Sequence, residues 1–178
     1  VLSGVAMNYA GISRPASGME HYISHILDMR SLAFGTPADP HGIQCGIGTL
    51  YTLRGYEILF DRLGGRTPDM DKALHAAQSF DRSAWNDRLR EIVGPGAQAM
   101  IANEDAYGFY RPENHRARLQ NIVDHWDGIT AALHAMPTSA EITAFFQKIG
   151  HPTTAAEIGV SAADMENAFR MAKDIRPK

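Results

Sequence analysis

The chain has 178 residues, and its 17 Lys and Arg against 20 Asp and Glu give a formal net charge of −3. This length suffices for one domain with its own hydrophobic core, and 44% hydrophobic with 21% charged residues is typical of a globular protein, not a disordered or fibrous one. The lack of a basic excess argues against nucleic acid or an anionic membrane surface as a partner.

The cysteine count and the apolar segments further limit the class of protein and the kinds of site that it can contain. The single cysteine, Cys45, excludes an internal disulfide and any site built from several cysteines, so the eight histidines are the better candidate metal ligands. The most apolar stretch, residues 47–60, is interrupted by polar residues, and residues 1–10 lack the pattern of a signal peptide. We therefore expect a soluble, cytoplasmic protein, and a start without methionine leads us to expect a piece of a longer chain.

Apolar residues recur at helical spacing along the chain, and no segment has the alternation of a strand, so the sequence predicts an all-α fold. The first clear helix is predicted over residues 17–33. It opens with Ser17 followed three positions later by Glu20, which is the capping-box pattern that satisfies the free amides of a helix start.

A second helix is predicted over residues 41–62, and because it is apolar on most sides we expect it to be central and buried. The two glycines at 64–65 are expected to end it. Two short amphipathic helices follow at 68–80 and 82–92, then a Gly-Pro-Gly turn and a further helix that reaches about Asp105.

The strongest periodicity lies between residues 113 and 136, which predicts one helix with a core-facing stripe that ends at Pro137. The stripe consists of Leu119, Ile122, Val123, Trp126, Ile129 and Leu133. The tail then carries three helix-start signatures, which predict two or three short helices. These signatures are Thr138 with Glu141, Thr154 with Glu157, and Ser161 with Asp164.

Three histidines in the first two long predicted helices are the candidate functional residues. At about 100° per residue, His21 and His25 share one helix face, and a hairpin would bring His41 back toward His21. Imidazoles are common ligands of divalent transition metals. A histidine pair four residues apart is, however, more often two partly exposed or hydrogen-bonded side chains, so spacing alone leaves the metal role open.

Other polar residues have structural explanations. Glu20 is explained by helix capping, Cys45 by packing in an apolar helix, and Asp28 either by a local ion pair or by orienting the imidazole of His25. The glycines at 42–48 follow no strand and lack the dinucleotide-binding spacing, so no nucleotide site is predicted. The remaining histidines show no ligand spacing and are interpreted as ordinary ones: His75, His115, His125, His134 and His151.

One set of motifs is more specific than the others. It consists of Ser13-Arg14-Pro15-Ala16-Ser17-Gly18-Met19-Glu20-His21, then Ser24-His25, then Pro40-His41-Gly42 with Gly46 and Gly48. With these motifs the sequence resembles the sn-glycerol-1-phosphate dehydrogenases, which are part of a superfamily with the iron-containing alcohol dehydrogenases and dehydroquinate synthases. Weaker agreement with the same family continues at 152–159 and 168–177.

The resemblance covers the C-terminal helical domain of that fold and implies that residues 1–178 form a single all-helical metal- and substrate-binding domain. It implies that His21 and His41 are metal ligands, that the third ligand is an aspartate preceding this sequence, and that His25 lies beside the metal. Zinc or nickel is implied ahead of iron. NAD(P) would be bound mainly by an N-terminal domain that this chain does not contain, so the chain alone is expected to be inactive.

The resemblance also implies a reaction, the interconversion of dihydroxyacetone phosphate and sn-glycerol 1-phosphate. Ser13 and Arg14, just before a helix start, are the candidates to bind this small phosphorylated polyol, although Arg14 is equally explained by a structural ion pair. A homodimer or larger homo-oligomer is expected. Two alternatives stay open: another alcohol or polyol dehydrogenase or a synthase of the same superfamily, and a non-catalytic helical interaction domain in which the histidines are incidental.

Overall fold

The computed structural model describes residues 2–11, 17–108 and 110–175. Within those ranges the chain forms α-helices and short 3-10 turns without a strand, which confirms the predicted all-α fold. No helix of the described residues is both long enough and apolar enough to cross a bilayer. In chain order the helices are α1 (Leu2–Ala10), α2 (Met19–Phe34), α3 (His41–Leu63), α4 (Met70–Gln78), α5 (Arg82–Val93), α6 (Ala97–Tyr107), α7 (Pro112–Asp124), α8 (Trp126–His134), α9 (Ser139–Lys148) and α10 (Ala162–Met171).

Helices α2 and α3 form an antiparallel hairpin. Gly35 ends α2 in the left-handed conformation with a φ of 66°, and α3 begins after Pro40, whose missing N–H costs nothing at a helix start. The start of α3 lies beside residue 24 of α2, whereas the backbone at residue 20 lies against Gly48, about two helical turns further along α3. The hairpin therefore presents the beginning of α3 to the middle of α2.

Only one of the two hydrogen bonds of the capping box predicted at the start of α2 is present. The residue that caps the helix is Gly18, and no side chain accepts a hydrogen bond from the first turn, so Ser17 does not act as the cap. The other half of the pattern is present, because the backbone N–H of Gly18 donates to Glu20 Oε1 at 3.0 Å. Glu20 thus closes the helix start from within the helix.

The hydrophobic core lies where α2 and α3 meet α5, α6 and α10. Its side chains are contributed at helical spacing, so each helix turns one apolar face inward and leaves the other in solvent. The residues with no solvent exposure in this core are Ile23, Ile26, Ile47, Leu89, Val93, Ala97, Met165, Ala168 and Ala172.

Helix α3 is buried along its first half only, which corrects the expectation of burial on most sides. Its buried residues lie between Gln44 and Leu53, whereas Ile58 and Leu59 near its end are 41% and 42% exposed. The reason is length: α3 has 23 residues and its partner α2 has 16, so the last turns of α3 extend past the helix that covers it.

The single helix predicted over 113–136 is instead two helices, α7 and α8, which meet at His125. Of the predicted core stripe only Trp126 is buried. The two helices pack on different partners: α7 lies against α4, whereas Trp126 and His134 of α8 contact the Phe60 ring of α3. A straight helix would not reach both surfaces, so the chain bends between them.

The remaining predicted helices agree with the structure in type, and their ends differ by two residues or fewer from those of α4, α5 and α6. The capping box of Thr138 and Glu141 is present at α9, and Ser161 caps α10 with the N–H of Asp164. Thr154 and Glu157 also form their hydrogen bonds, but they precede only a 3-10 turn at Ala156–Ile158.

Candidate metal centre

The α2–α3 hairpin brings the three histidines predicted from the sequence together. His21 and His25 are four residues apart on α2, and His41 is the first residue of α3. The ring centroid of His41 lies 5.2 Å from that of His21 and 5.2 Å from that of His25. His21 and His25 are partly buried and His41 is exposed, so solvent and small molecules reach the imidazoles.

The imidazole of His21 has one nitrogen engaged with a carboxylate. Its Nδ1 lies 2.9 Å from Glu20 Oε1, on the same oxygen that caps the helix start. Because an ionised carboxylate only accepts hydrogen bonds, Nδ1 carries the proton in the neutral ring and Nε2 keeps its lone pair. A carboxylate on one ring nitrogen and a metal on the other is the usual arrangement of histidine ligands.

The imidazole of His41 is held in a similar way from α2. Its Nδ1 lies 2.8 Å from Ser24 Oγ and 3.4 Å from Asp28 Oδ2. Asp28 was considered in the sequence as a partner of His25, and the structure gives it two further partners, His41 and the side-chain amide of Gln44. The atom of His41 that remains for a ligand is Nε2.

Among the residues that the structure describes, two overlapping groups of side chains have the composition of a metal site, and His41 is common to both. In each group the potential ligand atoms lie within 4.8 Å of one another. Zinc takes nitrogen ligands at about 2.0–2.1 Å and sulfur at about 2.3 Å, so two ligand atoms on one tetrahedral cation lie roughly 3.5 Å apart. Atoms as far apart as 4.8 Å would have to approach one another by about 1 Å to share a cation. The groups are His21, His41 and Cys45, and His25, Asp28 and His41.

Cys45 was explained by packing in the sequence, but the structure places it half-buried in the same group as two histidines. Its position one helical turn after His41 puts both side chains on one face of α3, and this spacing was the signal that sequence reasoning passed over. Burial raises the pKa of the Cys45 thiol, so the group stays protonated at neutral pH.

Other predicted residues lie elsewhere. Ser13 and Arg14 lie outside the described residues. The five histidines interpreted as ordinary ones belong to neither ligand group; His134 stacks on Phe60, for example, and His151 on Phe146. A cavity of about 1080 Å³ between α4 and α7 is lined by none of the three predicted site histidines.

Comparison with curated proteins finds similarity to enzymes named glycerol-1-phosphate dehydrogenase [NAD(P)+]. The chain is 60% identical over 48 residues to that of Korarchaeum cryptofilum, which is 27% of this chain and 15% of the relative. It is 34% identical over 106 residues to that of Halorubrum lacusprofundi, 60% of this chain and 24% of the relative. It is 54% identical over 50 residues to that of Thermococcus sibiricus, 28% of this chain and 13% of the relative.

These similarities confirm the resemblance to the glycerol-1-phosphate dehydrogenases. The matched segments span less than a quarter of the length of each of these relatives. No family model and no solved structure matches the chain.

Proposed function

We propose that this chain supplies the metal-binding helical domain of an NAD(P)-dependent glycerol-1-phosphate dehydrogenase, which interconverts dihydroxyacetone phosphate and sn-glycerol 1-phosphate. The observation that carries the proposal is the convergence of His21 and His41, one from each helix of the hairpin, with a centroid separation of 5.2 Å and with Nδ1 of each ring already engaged. The similarity to enzymes of that name supplies the substrate class.

In this proposal Nε2 of His21 and Nε2 of His41 hold a divalent cation. Zinc or nickel is proposed ahead of iron because the resemblance to the glycerol-1-phosphate dehydrogenases implies it, while imidazole ligands alone do not choose among these metals. When bound, the cation would supply Lewis-acid chemistry by polarising the secondary alcohol or ketone oxygen of the substrate.

The other residues of the chain have distinct roles in the proposal. His25, whose ring centroid is 5.2 Å from that of His41, would accept the proton of the alcohol and pass it to solvent. Ser13 and Arg14 would bind the substrate phosphate. The nicotinamide cofactor would be bound mainly by residues outside this chain, in an enzyme that works as a homo-oligomer.

The metal assignment is tested by titrating Zn²⁺ and Ni²⁺ into the 178-residue chain with calorimetry. We expect the His21→Ala/His41→Ala double variant to lose at least about 10-fold in affinity, since both proposed ligands are gone. His75→Ala is the matched control, because His75 is exposed on α4 and belongs to neither ligand group. Circular dichroism checks that all variants remain helical. Unchanged affinity in the double variant would contradict the proposal.

An assay for glycerol 1-phosphate oxidation in the presence of NAD⁺ or NADP⁺ tests, with the same preparations, whether this chain binds the nicotinamide cofactor by itself. We expect no turnover by the chain alone, because its sequence contains no dinucleotide-binding fingerprint. Turnover by these 178 residues would show that the cofactor is bound here and would overturn this part of the proposal.

A further inference from the structure

We propose that Ser24 and Gln44 form a hydrogen-bond relay that fixes the neutral His41 ring in its Nδ1–H tautomer and so reserves Nε2 for the metal. Ser24 and Gln44 are positioning residues, since they act on His41 and not on the substrate. The inference rests on the proposed function in treating His41 as a ligand. Its first step, the tautomer, concerns the protein without metal and can be measured separately.

The relay begins at the side-chain amide of Gln44, whose orientation is determined by its surroundings. The nitrogen Nε2 lies 3.1 Å from Asp28 Oδ1 and 2.8 Å from the backbone carbonyl oxygen of Asp39. A backbone carbonyl accepts hydrogen bonds and cannot donate them, so the NH₂ end of the amide faces both oxygens. The carbonyl end, Oε1, therefore faces Ser24.

The orientation of the Gln44 amide determines where the Ser24 hydroxyl donates its hydrogen, and so which atom donates in the hydrogen bond between Ser24 and His41. Ser24 Oγ lies 2.9 Å from Gln44 Oε1 and 2.8 Å from His41 Nδ1. A hydroxyl has one hydrogen, and Oε1 can only accept it, so the hydrogen of Ser24 points at Gln44. Toward His41, Ser24 can then only accept, which requires a hydrogen on Nδ1. The carboxylate of Asp28, 3.4 Å from the same nitrogen, is a second acceptor and favours the same tautomer.

Burial makes the relay hard to rearrange. Ser24 is 0% exposed and Gln44 is 1% exposed, so neither side chain exchanges its partners for water. Turning the amide of Gln44 would set its NH₂ group against Ser24 and leave the carbonyl of Asp39 facing another acceptor, with buried groups unsatisfied. Free imidazole exchanges its proton between the two nitrogens, whereas this ring is held with the lone pair on Nε2 before a cation arrives.

The tautomer is tested on the metal-free chain labelled with ¹⁵N, at about pH 8 where histidine rings are mostly neutral. Ring ¹⁵N chemical shifts and couplings to the ring protons distinguish Nδ1–H from Nε2–H. We expect His41 in the Nδ1–H form. A His41 ring that is Nε2–H, or an even mixture of both forms, would overturn the relay whatever the metal affinity.

The contribution of Ser24 is tested by Zn²⁺ titration of Ser24→Ala. We expect about a 10-fold loss of affinity, as for removal of a residue that orients a metal-bound histidine, and recovery in Ser24→Thr, which keeps the hydroxyl. Thr52→Val is the matched control, because its hydroxyl donates only within α3, to the carbonyl of Gly48 at 2.8 Å. Equal affinity in Ser24→Ala and the native chain would refute the role of Ser24. A His41→Ala variant that binds Zn²⁺ normally would instead refute the proposed function.

Discussion

At the scale of single residues, the most heavily connected buried acid of the described chain is Asp174, which is 2% exposed. Its carboxylate accepts hydrogen bonds from the indole N–H of Trp85 at 2.8 Å, from the hydroxyl of Tyr110 at 2.9 Å and from the amine of Lys173 at 3.0 Å. Burial lowers the pKa of the Lys173 amine, while the neighbouring carboxylate opposes that shift. Asp174 thus ties the end of the described chain to α5 and to the segment before α7.

We expect Asp174→Ala to lower the free energy of unfolding by about 3 kcal/mol, because it leaves three donors, one of them the partly buried amine of Lys173, without their common acceptor. Chemical denaturation measures the change. The control is Glu166→Ala, which removes a different acid whose ion pair with Arg170 is exposed on both sides. That variant should change stability by less than about 1 kcal/mol. Equal costs for the two variants would mean that Asp174 is not a node of the fold.

The residues that sequence reasoning found and missed differ in where their partners lie. His21 and His41 were singled out as candidate ligands from helical spacing, an expected hairpin and the resemblance, and the structure places their rings 5.2 Å apart. Ser24, Gln44 and Asp174 were missed because their roles depend on contacts with other helices, such as the pairing of Asp174 with Trp85 across 89 positions. Such contacts have no local pattern in the sequence, and a polar residue on a helix is more often exposed than buried.

At the scale of helices, the proposed metal centre depends on how closely α3 approaches α2. Gly48 is buried on α3, and a Cβ atom built on it would lie 2.8 Å from the backbone oxygen of Glu20 and 3.0 Å from its Cα. These are backbone atoms of α2, which cannot turn aside as the end of a flexible side chain can. Only glycine allows this approach, and Glu20 directly precedes the proposed ligand His21.

We expect Gly48→Ala to destabilise the chain by about 1–3 kcal/mol and to weaken Zn²⁺ binding, because α2 must move away from α3 and take His21 with it. Gly42→Ala is the matched control: it lies on the same helix, nearer His41, and its Cβ would meet nothing within 4 Å. Alanine there should be neutral or stabilise by up to about 1 kcal/mol, since it suits a helix better than glycine. Thermal unfolding measures the stability of both variants, and calorimetry measures their affinity for Zn²⁺. Normal Zn²⁺ affinity in a folded Gly48→Ala would contradict the coupling.

Some helix boundaries followed from a local signal in the sequence. The capping box of Thr138 and Glu141 is an example, because both partners lie within one turn. The break at His125 between α7 and α8 was not predictable in this way. The apolar repeat continues through it, and the bend arises because Trp126 packs on Phe60 of α3 while α7 lies on α4.

At the scale of the whole molecule, burial is distributed unevenly. Helices α2, α3, α5, α6 and α10 each bury several residues, whereas α4, α7 and α9 contain none that is buried and α8 buries Trp126 alone. Two residues of the predicted stripe on α7, Leu119 and Ile122, line a cavity shared with α4. The α2–α3 hairpin, which carries the proposed ligands, therefore lies in the well-packed part of the described chain.

This distribution predicts that the α4–α7 pair opens without unfolding of the α2–α3 hairpin. The free energy of local opening depends on the buried contacts that are lost. The opening free energy that deuterium exchange reports should therefore be several kcal/mol lower for the amides of α7 than for those of α2. Native-state hydrogen exchange with rising denaturant measures the opening free energies of both helices.

Two variants form a matched pair for this test. Ile23→Ala in α2 should cost about 2–5 kcal/mol of global stability, while Leu119→Ala in α7 should mainly speed exchange in α4 and α7. Zn²⁺ should slow exchange in α2 and leave α7 unchanged, since a ligand stabilises only openings that disrupt its site. Exchange of α7 only through global unfolding, or protection of α7 by Zn²⁺ equal to that of α2, would show that the molecule unfolds as one unit.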